Sequence, residues 1–307
     1  MILTRSLNLT LKSVNIKNVR GISYVERSRL LEKIKNDDDF CKSQMESGRY
    51  LLYHKGQPLL QKGSAPGLHS PSFLSYSQSD RLTTDLTEQS VVLGVEKDGT
   101  ARFAALLSKE ADPHEVEAET LCQFTDLRVG LFMVDSGTAH TLSKGWSLLM
   151  WNRKHNFCTN CGSKLIRSVS GAGSKCSSCR ETFYPSTSPV GIVCITDLER
   201  QHLLLIRQPR YPKGMYSCVA GFLDVGETLE VRKVFMFFFM IIVAKDCVRR
   251  EVAEEVGIEV ESIEYKSSQH WPFPAGSLMI GGTRQSGEMF TSLFRLSGCC
   301  CRRSSHS

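Results

Sequence analysis

The sequence predicts a mixed helix-and-strand protein of the α+β / α/β class, divided by a small four-cysteine ribbon. Three observations carry that expectation. Segments of helical spacing alternate with β-rich runs on both sides of the middle of the chain. Cys158, Cys161, Cys176 and Cys179 form two C-x2-C knuckles between those halves. A Glu-rich segment closed by Gly257 has helical character and follows β-rich runs. With 307 residues, 41% apolar and 23% charged, the chain has room for two or three domains and a sizeable core.

The first 25 residues hold no Asp or Glu, four basic residues and several hydroxyls, the composition of a mitochondrial transit peptide. Leu7, Leu9 and Leu11 alternate as in a first strand, which is the competing reading. The lack of a long apolar h-region argues against secretion. Glu26 to Glu46 has apolar residues at helical spacing and predicts one helix. Arg49–His54 and Gly56–Gln61 predict a hairpin, and the Ser/Pro/Gly-rich stretch 63–80 a loop. Strands are expected at Val91–Glu96 and Ala101–Leu107, and a helix at Thr138–Asn156. No internal repeat is visible. The region 26–156 therefore predicts a small α+β domain without evident chemistry.

Residues 157–185 are expected to fold around Zn²⁺. Four thiolates at this spacing close a tetrahedral site with no open position, so the ion would be structural. The other cysteines show no regular pairing pattern, which fits a reducing compartment. Val190–Thr196 and His202–Arg207 predict the opening strands of a further domain over 189–280, and Ile258–Lys266 a later one.

On a helix through Arg250–Gly257, Glu251, Glu254 and Glu255 stand at i, i+3 and i+4 and share one face. Their mutual repulsion raises their pKa values unless a cation sits among them. Hard divalent ions take such oxygen ligands and hold substrate phosphates, whereas an isolated E-x-x-E-E is more often a solvated face. Gly221 and Glu227 lie upstream. Together Gly221, Glu227, Arg250, Glu251, Val252, Glu254, Glu255, Gly257 and Ile258 resemble the Nudix hydrolase box, G-x5-E-x7-R-E-U-x-E-E-x-G-U, at every fixed position.

One interval departs from it. Twenty-two residues (228 to 249) separate Glu227 from Arg250 where the family has seven, and the excess is essentially 231–245. A helix continued through that insert would displace Glu227 by about 22 Å, and the alternative is that the insert loops out. The run Val234–Ala244 is eleven apolar residues, short of the ~20 that a membrane span needs. The insert is expected to separate Glu227 from Arg250 and leave little or no activity. Residues 281–307 are expected to be a divergent tail that leaves the last domain incomplete.

Ser268-Gln269-His270-Trp271-Pro272-Phe273-Pro274 presents two aromatics between prolines, either a platform for flat rings or a packed aromatic loop. It resembles the S-Q-P-W-P-F-P-x-S motif of the NADH pyrophosphatase subfamily, with His270 in place of the first Pro and Ser277 one residue late. The resemblance implies an α/β/α sandwich with a mixed sheet, commonly a homodimer. It also implies hydrolysis of NADH or NADPH to reduced nicotinamide mononucleotide plus AMP or 2′,5′-ADP. Glu251, Glu254 and Glu255 would hold Mg²⁺ or Mn²⁺, Arg250 would pair with Glu227, and Phe222, Gln269, Trp271 and Phe273 would bind substrate. A catalytically impaired isoform acting as a folded binding module is the second reading. A third is nucleic-acid binding or action on NAD-capped RNA, which little basic clustering supports.

Overall fold

The computed structural model describes residues 21–63, 68–197, 202–209, 211–227, 230–233, 240–243, 245–260, 263–274 and 276–286. The transit-peptide reading (apart from residues 21–25), the centre of the insert and the tail beyond residue 286 lie outside them. From the N-terminal side the elements are α1 (Tyr24–Asn36), α2 (Asp38–Met45), β1 (Arg49–His54), β2 (Gln57–Lys62), β3 (His69–Pro71), β4 (Phe73–Ser75), α3 (Tyr76–Leu82) and α4 (Leu86–Gln89). There follow β5 (Ser90–Val95), β6 (Ala101–Leu106), α5 (Pro113–Thr120), β7 (Gln123–Phe124), α6 (Leu127–Gly130) and α7 (Ser136–Lys154).

The single helix expected over 26–46 is two helices. Asp37 ends the first, its N–H bonding to the Lys33 carbonyl, and its carboxylate caps the second by accepting from the Phe40 N–H at 2.9 Å. The loop expected over 63–80 also carries structure. Short strands β3 and β4 pair with β2 and β1, and Ser75 starts α3 with a capping box closed by Gln78.

Tyr50-Leu51-Leu52-Tyr53 on β1 are all buried, because this strand is covered on both faces. Tyr50 and Leu52, with Phe103 and Ala105 of β6, pack under α1 and α2, whereas Leu51, Tyr53 and Ala104 pack under α7. A bulge between Val92 and Gly94 breaks the alternation of β5, so that Val95 joins the face of Val92. Tyr53 donates to the Leu142 carbonyl at 2.7 Å and pins α7 to the sheet.

The ribbon is β8 (Leu165–Arg167), β9 (Ser174–Cys176) and β10 (Thr182–Phe183), an antiparallel sheet in the order β10-β9-β8. Then come β11 (Ser188–Asp197), β12 (Leu203–Leu204), β13 (Val219–Phe222), β14 (Glu230–Lys233), β15 (Met240–Val243), α8 (Lys245–Val256), β16 (Glu264–Trp271) and β17 (Ser277–Ser286). Gly257, at φ +70, closes α8. The strand expected from Ile258 begins six residues later; Ile258 and Val260 are instead buried connector residues in the core under α8. The tail expected from residue 281 begins later too, since β17 runs to Ser286 in the middle of its sheet.

An internal repeat, unseen in the sequence, emerges from the pairing. In the first sheet β1 is antiparallel to β2 and β4 and parallel to β6, which is antiparallel to β5. In the second, β11 is antiparallel to β12 and β13 and parallel to β17, which is antiparallel to β16. The chain order of the five strands is the same. Between the third and fourth of them the second unit carries α8, where the first has only the short α3 and α4. No helix among the described residues is long and apolar enough to cross a membrane.

Lys144 of α7 donates to the Leu93 carbonyl at 2.6 Å from a largely buried position. Burial, then the charges of Lys35 and Arg102, pushes it down to about 8. Because the unfolded chain binds this proton more tightly, stability should rise as pH climbs from about 8 towards 10.4, by about 2–3 kcal/mol. Denaturant titrations at both ends of that range check it, with Lys144→Met expected to lose the difference.

Candidate active site

The insert does not extend the helix. It folds out as the antiparallel pair β14–β15, in which Glu230 lies opposite Val243. Cross-strand partners are about 5 Å apart, so the chain returns next to where it left. This overturns the expected separation. Arg250 Nε donates to Glu227 Oε1 at 2.9 Å and Nη2 to Glu227 Oε2 at 3.1 Å, a two-pronged contact.

Arg250 gathers the surrounding acceptors as well. Its Nη1 donates to Glu251 Oε1 at 2.8 Å, its Nη2 to the Phe222 carbonyl at 2.9 Å, and Glu254 Oε2 lies 3.7 Å away. Glu227 also accepts from the Asp224 N–H at 2.8 Å, which closes the loop on itself. The guanidinium holds the Glu227 carboxyl below its ordinary value, and these carboxylates raise that of Arg250. Arg250 is thus the cation that lets Glu227, Glu251 and Glu254 stand together.

Helix α8 aims this cluster. Val248 and Val252 pack on Val193, Ile195 and Val219 of the sheet, which leaves the carboxylates beside that apolar stripe. A Cβ on Gly221 would overlap the Glu251 carboxylate, so a side chain there would push Glu251 off its contact with Arg250. Cys247 contacts the Gly221 and Phe222 carbonyls at 3.4 and 3.5 Å and ties the start of the helix to the loop. Glu255 is pushed up by burial and by the charges of Glu251 and Glu254. Glu254 is the open member, its side chain 61% exposed against 15% for Glu251. An acidic, partly desolvated cluster in which Glu254 is open to solvent is suited to a hard divalent ion. Phe222, half exposed, stands at the rim.

The other aromatics are placed differently. Trp271 and Phe273 meet edge to face at 5.5 Å and pack against the α7 side of the first sheet. The Arg128 guanidinium lies over the Phe273 ring at 4.5 Å. Gln269 is exposed on β16. Arg128 and Asp224 had no signal in the sequence, since neither belongs to a motif.

The four ribbon cysteines bring their sulfurs within 4.8 Å of one another, with Cys158–Cys179 at 3.6 Å and Cys161–Cys176 at 3.4 Å. Tetrahedral thiolates 2.3 Å from an ion sit about 3.8 Å apart, so the donor set fits such a metal.

A mixed sheet with a Gly-to-Glu loop locked onto a carboxylate helix by arginine is the arrangement of the Nudix motif. Comparison with known proteins agrees. Residues 47–151 match the NADH pyrophosphatase-like rudimentary NUDIX domain, which is the first of the two repeated units. The chain is 39% identical to human "NAD(P)H pyrophosphatase NUDT13, mitochondrial", with 84% of this chain and 72% of that protein covered. It is 31% identical to "NAD-capped RNA hydrolase ndx-9" of Caenorhabditis elegans, covering 86% and 71%. To "NAD-capped RNA hydrolase NudC" of Chromobacterium violaceum it is 35% identical, covering 52% and 53%. The chain belongs to the NADH pyrophosphatase family of Nudix hydrolases.

Proposed function

We propose that the protein is a metal-dependent NAD(P)H diphosphatase of mitochondria. It cleaves the dinucleotide pyrophosphate with water to give reduced nicotinamide mononucleotide and AMP, or 2′,5′-ADP from NADPH. The observation that carries this reading is the Arg250 cluster, which holds Glu227, Glu251 and Glu254 together across the insert. That cluster favours a working site over a catalytically impaired binding module.

In this reading Glu251, Glu254 and Glu255 hold Mg²⁺ or Mn²⁺. The ion, when bound, offsets pyrophosphate charge and acidifies the attacking water. Glu254, far more open than Glu251, takes the water's proton or ligates beside it. Arg250 and Glu227 are positioning residues that fix the loop against the helix. Phe222 stacks on a substrate ring, with Gln269 within the same binding surface, while Trp271 and Phe273 buttress that surface against the first unit. Cys158, Cys161, Cys176 and Cys179 hold a structural Zn²⁺. The domain division is 26–156, 157–185 and a Nudix domain from 189, and the protein acts as a homodimer. The names of the worm and bacterial relatives favour a second substrate of the same chemistry, the NAD cap of RNA.

Purified protein incubated with NADH and Mn²⁺ or Mg²⁺ should release AMP and reduced nicotinamide mononucleotide, resolved by chromatography. Withholding the divalent ion should stop release. Hydrolysis that is indifferent to the ion, or a different pair of products, would refute the proposal.

A further inference from the structure

The ribbon carries no excess of basic residues, but its pairing sets two of its lysines, Lys164 and Lys175, on one face. Within 157–185 the basic residues are Lys164, Arg167, Lys175 and Arg180 against a single acid, Glu181, and Arg167 is turned to the first unit. Pairing puts Ile166, Lys175 and Thr182 side by side across the three strands, and a further bridge sets Phe157 opposite Lys164. Leu165, Cys176 and Phe183 take the other face, where they form the ribbon's small core with Cys158. Alternation therefore directs Lys164, Ile166, Lys175 and Thr182 outward together. Tyr184, two residues past Thr182, follows them, and its ring lies over Gly173.

The outcome is one exposed sheet face on which apolar side chains alternate with cations. Phe157, Ile166 and Tyr184 are 67%, 64% and 71% exposed, and Lys164 and Lys175 are exposed too. At one edge of this face Lys164 and Ile166 also line a cleft of about 640 Å³ against the first unit, together with Arg153, His155 and Glu88. Aromatic planes for bases and ammonium groups for phosphates make a platform for a single strand of nucleic acid, which needs no fixed sequence.

We propose that this outer ribbon face binds single-stranded RNA, with Lys164 and Lys175 on phosphates and Phe157 and Tyr184 stacked on bases. Only five residues separate Tyr184 from Val190, at most about 22 Å of chain. Val190 pairs directly with Phe222 at the rim of the active site. A strand on the ribbon could thus lead its 5′ end towards the carboxylates. That last step rests on the diphosphatase reading; the binding itself does not.

The test is fluorescence anisotropy of the zinc-loaded full chain with an uncapped, labelled single-stranded RNA, without added divalent ion and over a salt series. A Lys164→Ala/Lys175→Ala double variant should bind at least tenfold more weakly. Its log affinity–log salt slope should shrink by about 1.4. Tyr184→Ala should lose about tenfold with the slope unchanged. Zinc content and NADH turnover of the double variant should match the parent, and this separates a failed surface from a failed enzyme. Undiminished RNA affinity in the variants would overturn the proposal. So would equal affinity for duplex RNA, or a change in sedimentation mass showing that the face joins two copies of this chain.

Discussion

Glu254→Gln should lower the rate of NADH hydrolysis by about 10²–10⁴-fold, the range for losing a positioned acid–base group. The fold should be untouched. Glu254 is 61% exposed, and its 3.7 Å approach to Arg250 is a long contact at an open site. Exposed pairs of that kind contribute little to stability. Glu251→Gln provides the contrast, because this carboxylate is 15% exposed and accepts from Arg250 at 2.8 Å. It should lose activity and also ~1–3 kcal/mol of stability, the range for a hydrogen bond to a charged group. Steady-state kinetics set beside denaturant melts of the two variants checks the difference. Equal turnover in Glu254→Gln and the parent would remove that residue from the chemistry.

Removing the zinc proposed for the ribbon should have the largest structural effect. Its core is Cys158, Leu165 and Cys176 with Phe183 packed alongside, so half of it is ligand. Structural zinc contributes roughly 10–16 kcal/mol in small domains of this kind, enough that the segment has no fold without it. Arg167 anchors β8 to the first unit by donating to the Thr87, Glu88 and Ser90 carbonyls and to Asn152. From the other direction, the Val92 N–H of β5 donates to the Ser170 carbonyl in the ribbon loop. Chelation, or Cys176→Ser, should undo this docking and open Lys164, Lys175 and Arg180 to trypsin while the first sheet stays resistant. A stripped protein cut no faster than the loaded one would contradict the account.

What the sequence told, and what it withheld, divides along physical lines. β1, β5, β6 and α7 were legible because strong periodicity and burial coincide in them. The region 63–80 was not, since its short strands and α3 draw on edge pairing and the Ser75 cap rather than on a hydrophobic pattern. The break at Asp37 turns on one carboxylate serving two helices. The repeat was invisible because it lies in which strands pair, and the first unit has nothing resembling α8. For the site, the spacing within α8 gave the carboxylates and the motif gave Arg250 with Glu227. Sequence distance misled about the insert, whose ends the β14–β15 pairing brings back together. The contact of Arg128 with the Phe273 ring had no sequence signal, because the two lie far apart in the chain.

The central claim is that the Nudix site assembles around the insert. Its most direct test compares NADH hydrolysis by this chain with that of a version lacking residues 231–245, both with Mn²⁺ and against a Glu254→Gln background. The geometry predicts AMP release by the intact chain at a rate within a few-fold of the shortened one and far above the background. AMP release by the shortened chain alone would mean that the insert keeps Glu227 and Arg250 apart in solution, and the account would be wrong.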